Sequence, residues 1–314
     1  MNIPLLLLIY NRPSETKKLI EKLRRYKPSI IYVSSDGVKK NQKNSEKNTK
    51  VKNIIKEIDW KCKIKTHYLN KNYGCKEAVS RGITWFFKNE KMGIILEDDC
   101  IPSKSFFIFS KNLLKKYYNN NSIFTISGNN FLKKNLKIKD SYYFSNYNHC
   151  WGWATWRKAW KKYDKNLKKW PSFKKTKKWE NKFIIKEERK YWEKIFDLCY
   201  KKKIDSWAYP WLFSILYNDG TNILPRVNLV KNIGFNLSAD TTIGNKKFNH
   251  EIFELKKELI HPKKISINLK ADEYTYFNFF EGRNFMWPYR IFYLIELFLH
   301  NPYIFIKRMI KKIY

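Results

Sequence analysis

The first hundred residues alternate short strand-like runs with segments of helical period. Leu5 to Ile9, Ser29 to Val33, Lys63 to Leu69 and Gly93 to Leu96 are the strand-like runs. Between the first two, Leu19, Ile20 and Leu23 recur at helical spacing, with Ser14 as the expected N-cap. Residues 39–53 are polar and basic and read as a loop, running into a helix over Val51 to Ile58. A helix from about Cys75 to Lys88 offers Ala78, Val79, Ile83, Trp85 and Phe86 for packing. The order β-α-β-α-β-α-β predicts a parallel sheet with helices on both faces.

Beyond residue 100 the pattern predicts a helix over Ser103 to Tyr118 and a strand over Ile123 to Ser127, broken by Gly128-Asn129-Asn130. Residues 161–190 are very basic with few apolar positions, and read as surface loop and helix. A helix follows within 191–218, then a strand within Asn222 to Val230. Phe285 to Tyr314 is basic, aromatic and amphipathic, which fits a membrane-surface segment or a packed terminal helix. Pro288 and Pro302 interrupt it, which argues against a transmembrane span.

Chemistry gathers where the strands end. The run Gly93-Ile94-Ile95-Leu96 stops at Glu97-Asp98-Asp99. Three adjacent carboxylates repel one another and are costly to desolvate unless a cation neutralises them. Mg²⁺ and Mn²⁺ prefer such oxygen ligands and share them with substrate phosphates. In open α/β sheets ligands bind at the carboxyl ends of strands. Arg12 follows the first strand and Asp36 the second, so both are expected to share a crevice with the acids. Those parts suit a nucleoside diphosphate: Arg12 on phosphate or base, Asp36 on base or ribose, a metal across the phosphates. Neither a G-x-G-x-x-G turn nor a P-loop is present, which argues against dinucleotide and P-loop chemistry.

Two later stretches add candidates. Residues 149–160 place Trp151, Trp153, Trp156 and Trp160 close together, either as a hydrophobic helix start or as aromatic faces for sugar rings; His149 beside them reads as structural. Asp205 is the lone carboxylate in Ile204-Asp205-Ser206-Trp207-Ala208-Tyr209-Pro210-Trp211, and reads as a helix cap or as a general base in a partly dry site.

Composition changes the picture in two ways. A formal charge of +36 over 314 residues raises nucleic acid or an anionic surface as a partner. The basic residues are mostly Lys spread over every segment among Asn, Ile, Tyr and Phe, which is the residue usage of AT-rich codons. Five scattered cysteines with no C-x-x-C pair fit a reducing cytoplasm better than a disulfide framework or zinc knuckle. Pro4 to Ile9 is too short for a signal or a span.

The motifs resemble GT-A-fold glycosyltransferases, and more narrowly bacterial relatives of the N-acetylglucosaminyltransferases that start complex N-glycans. I-Y-N-R-P at 9–13, S-S-D-G at 34–37, N-Y-G-C-K-E-A-V-S-R-G-I-T-W-F-F at 72–87, I-L-E-D-D-C-I-P at 95–102 and H-C-W-G-W-A-T-W-R-K-A-W at 149–160 carry the resemblance, with N-L-V-K-N-I-G-F at 228–235 weaker. It implies a GT-A, Rossmann-like, mostly parallel α/β sheet over residues 1–245. Residues 1–130 would form the nucleotide-binding half, 131–245 the acceptor half, and 246–314 a C-terminal helical extension. It implies Mn²⁺- or Mg²⁺-dependent hexosyl or N-acetylhexosaminyl transfer from a nucleoside-diphosphate sugar to a glycan, free or lipid-linked. Bacterial surface polysaccharide is the expected product, made in the cytoplasm or at the inner face of the plasma membrane.

By the same resemblance Asp99, the last acid of a DxD-like triplet, binds the metal. Arg12, Asp36, Lys76, Glu97, Asp98, Trp151 and Trp153 fall at nucleotide-sugar positions. Similar proteins often carry W-D-Y-Q-W where this chain has Trp207-Ala208-Tyr209-Pro210-Trp211, so Asp205 must serve as base from three residues back. They also tend to carry a His soon after N-I-G-F; here Asp240-Thr241-Thr242 follows, leaving Asp240 or His250 as second metal ligand. Two other readings stand beside this one: a non-catalytic nucleotide-sugar binder, and a basic nucleic-acid-binding protein.

Overall fold

The computed structural model describes residues 3–39, 42–132, 136, 138–234, 251–280, 282–300, 302 and 306. The first strand, β1 (Leu5–Ile9), is buried at every position and pairs in parallel with β2 (Ile30–Ser35) on one side and β4 (Met92–Glu97) on the other. A strand covered on both faces reads as a continuous apolar run, which is why L-L-L-L-I lacks alternation. Even and odd residues still part company. Leu5, Leu7 and Ile9 face one core with Ile31, Val33, Ile94 and Leu96; Leu6 and Leu8 face another with Tyr32, Ile95 and Trp153.

Helix α1 (Pro13–Leu23) returns from β1. Then α2 (Gln42–Lys56) leads to β3 (Lys63–Tyr68), and α3 (Cys75–Asn89) leads to β4. The register aligns the strand ends: Ile9 pairs with Ser35 and Leu8 with Glu97. The residues just past β1, β2 and β4 therefore emerge level, on one rim.

After the acids, β5 (Cys100–Pro102) leaves the main sheet, and α4 (Lys104–Lys116) follows. Then come β6 (Ile123–Ser127), β7 (Tyr142–Ser145), β8 (Trp153–Trp156) and the single turn α5 (Arg157–Trp160). Short helices α6 (Trp170–Phe173) and α7 (Lys177–Glu180) precede α8 (Lys186–Tyr200) and α9 (Ala208–Tyr217). Strand β9 (Thr221–Pro225) joins the main sheet, while β10 (Val230–Asn232) pairs antiparallel with β5, Asn232 opposite Cys100. The described residues thus form one eight-stranded mixed sheet, ordered β3-β2-β1-β4-β8-β6-β9-β7, flanked by helices, plus the β5–β10 ribbon.

Residues 251–280 pack on this body. The Glu254 carboxylate accepts from the Lys104 and Ser105 amides (3.0 and 2.7 Å) at the open end of α4. Helix α10 (Leu269–Asn278) buries Ala271 and Tyr276, a short 3-10 turn spans Gly282–Phe285, and α11 (Tyr289–His300) follows. No described helix is long and apolar enough to cross a membrane. All five cysteines are free thiols.

Several expectations change. Ser14 is not a cap: α1 begins at Pro13, whose fixed φ suits the first helical position, and no side chain caps it. Helix α2 starts at Gln42 rather than near Val51. The expected strand over 222–230 is two strands in two sheets. Residues 161–190 are not merely surface: Leu167, Trp170, Phe173, Trp179 and Phe183 are buried with Trp192, Phe196 and Phe213 in a third core. These apolar positions sit in turns and single-turn helices, so no helical or strand period marks them.

Ser103 shows how local chemistry sets an element. It precedes α4, is 1% exposed, and its Oγ accepts from the Phe106 amide at 3.2 Å. Ser103→Ala is expected to cost about 1 kcal/mol, read as a lower urea midpoint at unchanged slope.

Candidate functional site

The level strand ends bring the triplet against the β1 exit. Strand β4 delivers Glu97, and the Asp98 amide donates to Leu8 O (3.0 Å), tying the acidic turn to β1. Asp98 Oδ2 accepts from the Tyr10 amide (3.1 Å). Arg12 Nη1 donates to Asp98 Oδ1 (3.2 Å) and to Asp99 Oδ2 (2.6 Å). Both aspartates are 5% exposed, while the Arg12 side chain is 37% exposed. One guanidinium faces three carboxylates. Burial, then the repulsion of their neighbours, pushes the Glu97 and Asp98 carboxyls well above the usual carboxylate range. Burial alone would lower the Arg12 pKa; the charges of Asp99, Asp98 and Glu97 outweigh it and hold it above its ordinary value.

Among the described residues no three His, Cys, Asp or Glu side chains are placed to enclose a metal ion. The donors nevertheless suit a hard divalent cation that takes its other ligands from phosphate and water. No hydrogen bond reaches the Glu97 carboxylate among the described residues, and Arg12 bridges only Asp98 and Asp99 of the triplet. Asp98 is the poorest ligand, since the Tyr10 amide and Arg12 hold both its oxygens. Asp99 lies under the β10 exit: the Ile233 amide donates to its carbonyl (2.9 Å), and a Cβ at Gly234 would fall 2.1 Å from Oδ2. Only glycine lets the backbone pass so close. The other expected ligand, His250, and its alternative Asp240 lie outside the described residues.

Asp36 is placed at the same rim but is differently employed. Its carboxylate accepts from the amides of Gly37 (2.9 Å), Tyr73 (3.0 and 3.1 Å) and Gly74 (3.0 Å) and from Asn72 Nδ2 (3.0 Å). These donors fill its lone pairs and leave none for a base or ribose. The expectation of Asp36 as a nucleotide contact gives way to a latch fastening the loop before α3 to β2. Asn72 completes it by donating to Gly37 O (2.8 Å) and Tyr10 Oη (3.2 Å).

The remaining candidates divide. A Cβ at Gly74 (φ +83°) would lie 3.2 Å from Asp205 Oδ2, so Asp205 stands at the mouth of the α3 loop. It is exposed, on the rim rather than in a partly dry site, and it caps no helix: α9 begins at Ala208 without a side-chain cap. The Cys75 thiol lies between: exposed to water yet hemmed in, it is pushed up to about 12 by burial and then by Glu97 and Asp205. Lys76 is half-buried, and its charge acts on Cys199 of α8. Antiparallel pairing carries Ile95 to Trp153, bringing Trp151 to the end of the ladder that Glu97 terminates. Burial, then the Glu97 charge, raises the adjacent Cys150 thiol. Trp151 is half-buried with its ring edge-on to Phe131 at 5.0 Å. Trp153 is not a sugar platform: it is 1% exposed and stacked on Trp207 at 5.5 Å. His149 is buried, Nδ1 3.3 Å from Asn129 O, as a structural role requires.

Tyr10, Asn72, Cys75 and Gly234 were not singled out from sequence. Tyr10 meets Asp98 through its amide, which leaves no residue-type signal, and Asn72 through its hydroxyl; Gly234 was legible only as part of the N-I-G-F block. Two cavities lie elsewhere, one of about 440 Å³ beside Lys91, Arg157 and Lys161, one of about 410 Å³ beside Tyr142 and Lys264. Neither is lined by the acids or Arg12.

A scan against protein-family models finds no match, and neither does a search of curated proteins. Among solved structures the chain is similar to 4-diphosphocytidyl-2C-methyl-D-erythritol synthase from Anaerococcus prevotii, at 10% identity and TM-score 0.35, over 69% of this chain and 97% of that one. It is also similar to an apo UDP-glucose pyrophosphorylase (8%, TM-score 0.36, 74% and 93% covered). A UDP-glucose pyrophosphorylase complexed with UDP-glucose matches at 12% and TM-score 0.27, with 46% and 62% covered. At these identities and scores the likeness does not bear on chemistry.

Proposed function

We propose that this chain is a glycosyltransferase that moves a hexosyl or N-acetylhexosaminyl group from a nucleoside-diphosphate sugar to a glycan acceptor. One observation supports it above the others: Arg12 and the triplet, 86 and 87 residues apart, meet at 3.2 and 2.6 Å on the rim where such sheets bind ligands. Arg12 presents a guanidinium to phosphate oxygens. Asp99 and Glu97 would hold Mn²⁺ or Mg²⁺, which supplies stabilisation of the departing diphosphate. Asp98 braces Arg12 and the Tyr10 amide, and Asp36 sets the loop that carries Gly74 and Cys75 beside them. Asp205 takes the proton from the acceptor hydroxyl, and the half-buried Trp151 ring offers a sugar a face. Surface polysaccharide assembly in the cytoplasm, on a free or lipid-linked acceptor, is the setting this reading favours.

The test is release of nucleoside diphosphate from a panel of nucleotide sugars, with Mn²⁺ and with EDTA. Metal-dependent release from one donor supports the reading; no donor binding or release with any metal and acceptor defeats it. Asp205→Asn is expected to lower kcat about a hundredfold with KM little changed; unchanged kcat would remove Asp205 from the mechanism.

A second reading is favoured by Ala208 and by the exposure of Asp205: a relative that binds nucleotide sugar without transferring it. It predicts metal-dependent stabilisation by nucleotide sugar with no turnover.

A further inference from the structure

Helix α11 turns an apolar stripe outward. At 100° per residue, Ile291, Phe292, Ile295, Phe298 and Leu299 fall within an arc of about 120°. They are 47, 65, 51, 51 and 71% exposed, and Trp287 just ahead is 80% exposed. Leu294, outside that arc, is half-buried. A helix facing only water and its own core buries such a stripe; a contiguous exposed one marks an interaction surface.

We propose that α11 lies flat on an anionic phospholipid bilayer, its stripe at the boundary between headgroups and acyl chains. Among the described residues α11 does not reach across: its twelve residues rise about 18 Å, against a hydrocarbon core of about 30 Å. Amphipathic helices of this kind rest in the interface, where a Trp ring such as that of Trp287 is favoured. Charge selects the occupant. The chain carries +36, and the sequence after α11 holds Lys307, Arg308, Lys311 and Lys312 with no acidic residue. An anionic lipid surface attracts that charge, whereas a second copy of the chain repels it. The inference goes beyond the transferase reading and does not depend on it.

The full chain is mixed with extruded vesicles of phosphatidylcholine alone, or with about a third phosphatidylglycerol, and sedimented. Binding to the anionic vesicles is expected to exceed binding to neutral ones by about tenfold at low salt. The triple variant Phe292→Ser, Ile295→Ser, Leu299→Ser is expected to lose about tenfold or more of it with an unchanged melting curve. No binding by the wild-type chain overturns the proposal. So does equal binding by the variant, which would leave charge alone as the cause. A dimer by light scattering that the variant dissolves, without vesicle binding, assigns the stripe to a second copy instead. If the variant misfolds, amide exchange of the wild-type chain decides: slowed exchange over 289–300 on adding anionic vesicles supports the proposal, and unchanged exchange overturns it.

Discussion

Asp99→Asn is expected to lower turnover of a nucleoside-diphosphate sugar about a thousandfold, or about 4 kcal/mol of transition-state stabilisation. The variant keeps the shape of the side chain and an oxygen for Arg12, and the Asp99 carbonyl still accepts from the Ile233 amide. What it removes is the charge a divalent cation needs. Stability is expected to move the other way. Asp99 is a main source of the repulsion that raises the Glu97 and Asp98 carboxyls, so losing its charge relieves the crowding. Tm at pH 8 should therefore hold or rise while activity collapses. A residue placed only to support the fold gives the opposite pair of results. Turnover within a few-fold of wild type would show that the triplet does not bear on catalysis.

Much of the sheet was legible because its signals are local. Leu5–Ile9 and Ile123–Ser127 are strands as read, since an uninterrupted apolar run bounded by turn residues has one reading once it is too short for a helix. The meeting of Arg12 with the acids was legible for a topological reason: parallel strands emerge on one edge, and that edge binds ligands. What escaped was non-local. Nothing in Trp153 distinguishes a ring that faces a sugar from one stacked on Trp207, 54 positions on. The basic stretch 161–190 concealed five buried apolar residues because its lysines dominate the average while turns hide the spacing. Asp36 was read as an open acceptor because its partners are backbone amides, which every residue carries. The Gly234 approach to Asp99 depends on the β5–β10 ribbon, which two three-residue strands cannot announce. Residue type and strand position thus brought Arg12 and the acids together, while hydrogen bonds that only the fold reveals occupy Asp36 and Asp98.

Stability is expected to fall, not rise, as pH increases from about 6 to about 9. Two carboxyls outside the site argue this most directly. Glu188 accepts from Tyr147 Oη, and Asp272 accepts from Ser145 Oγ and the Asn146 amide (2.9 Å). Burial outweighs these bonds and pushes Glu188 up to about 8 and Asp272 up to about 7. Glu97 and Asp98 move in the same direction. In the unfolded chain all four ionise near pH 4, so across this window the folded chain binds more protons than the unfolded one. Its stability therefore declines with each unit until the raised carboxyls ionise. With even about 1 kcal/mol from each, Tm should drop by about 5 to 10 °C between those limits. Self-repulsion pulls the other way: as the five His residues lose any charge with rising pH, a chain of +36 is relieved slightly. A melting series in low-salt buffer decides between the two effects. Glu188→Gln isolates one carboxyl: it keeps an acceptor for Tyr147 but cannot ionise, so its Tm should exceed that of wild type at pH 9 and its slope should be shallower. A flat or rising wild-type profile would mean that the buried carboxyls are ionised in the folded chain near neutrality. An unaltered slope in the variant would move the cause to Asp272 and the triplet.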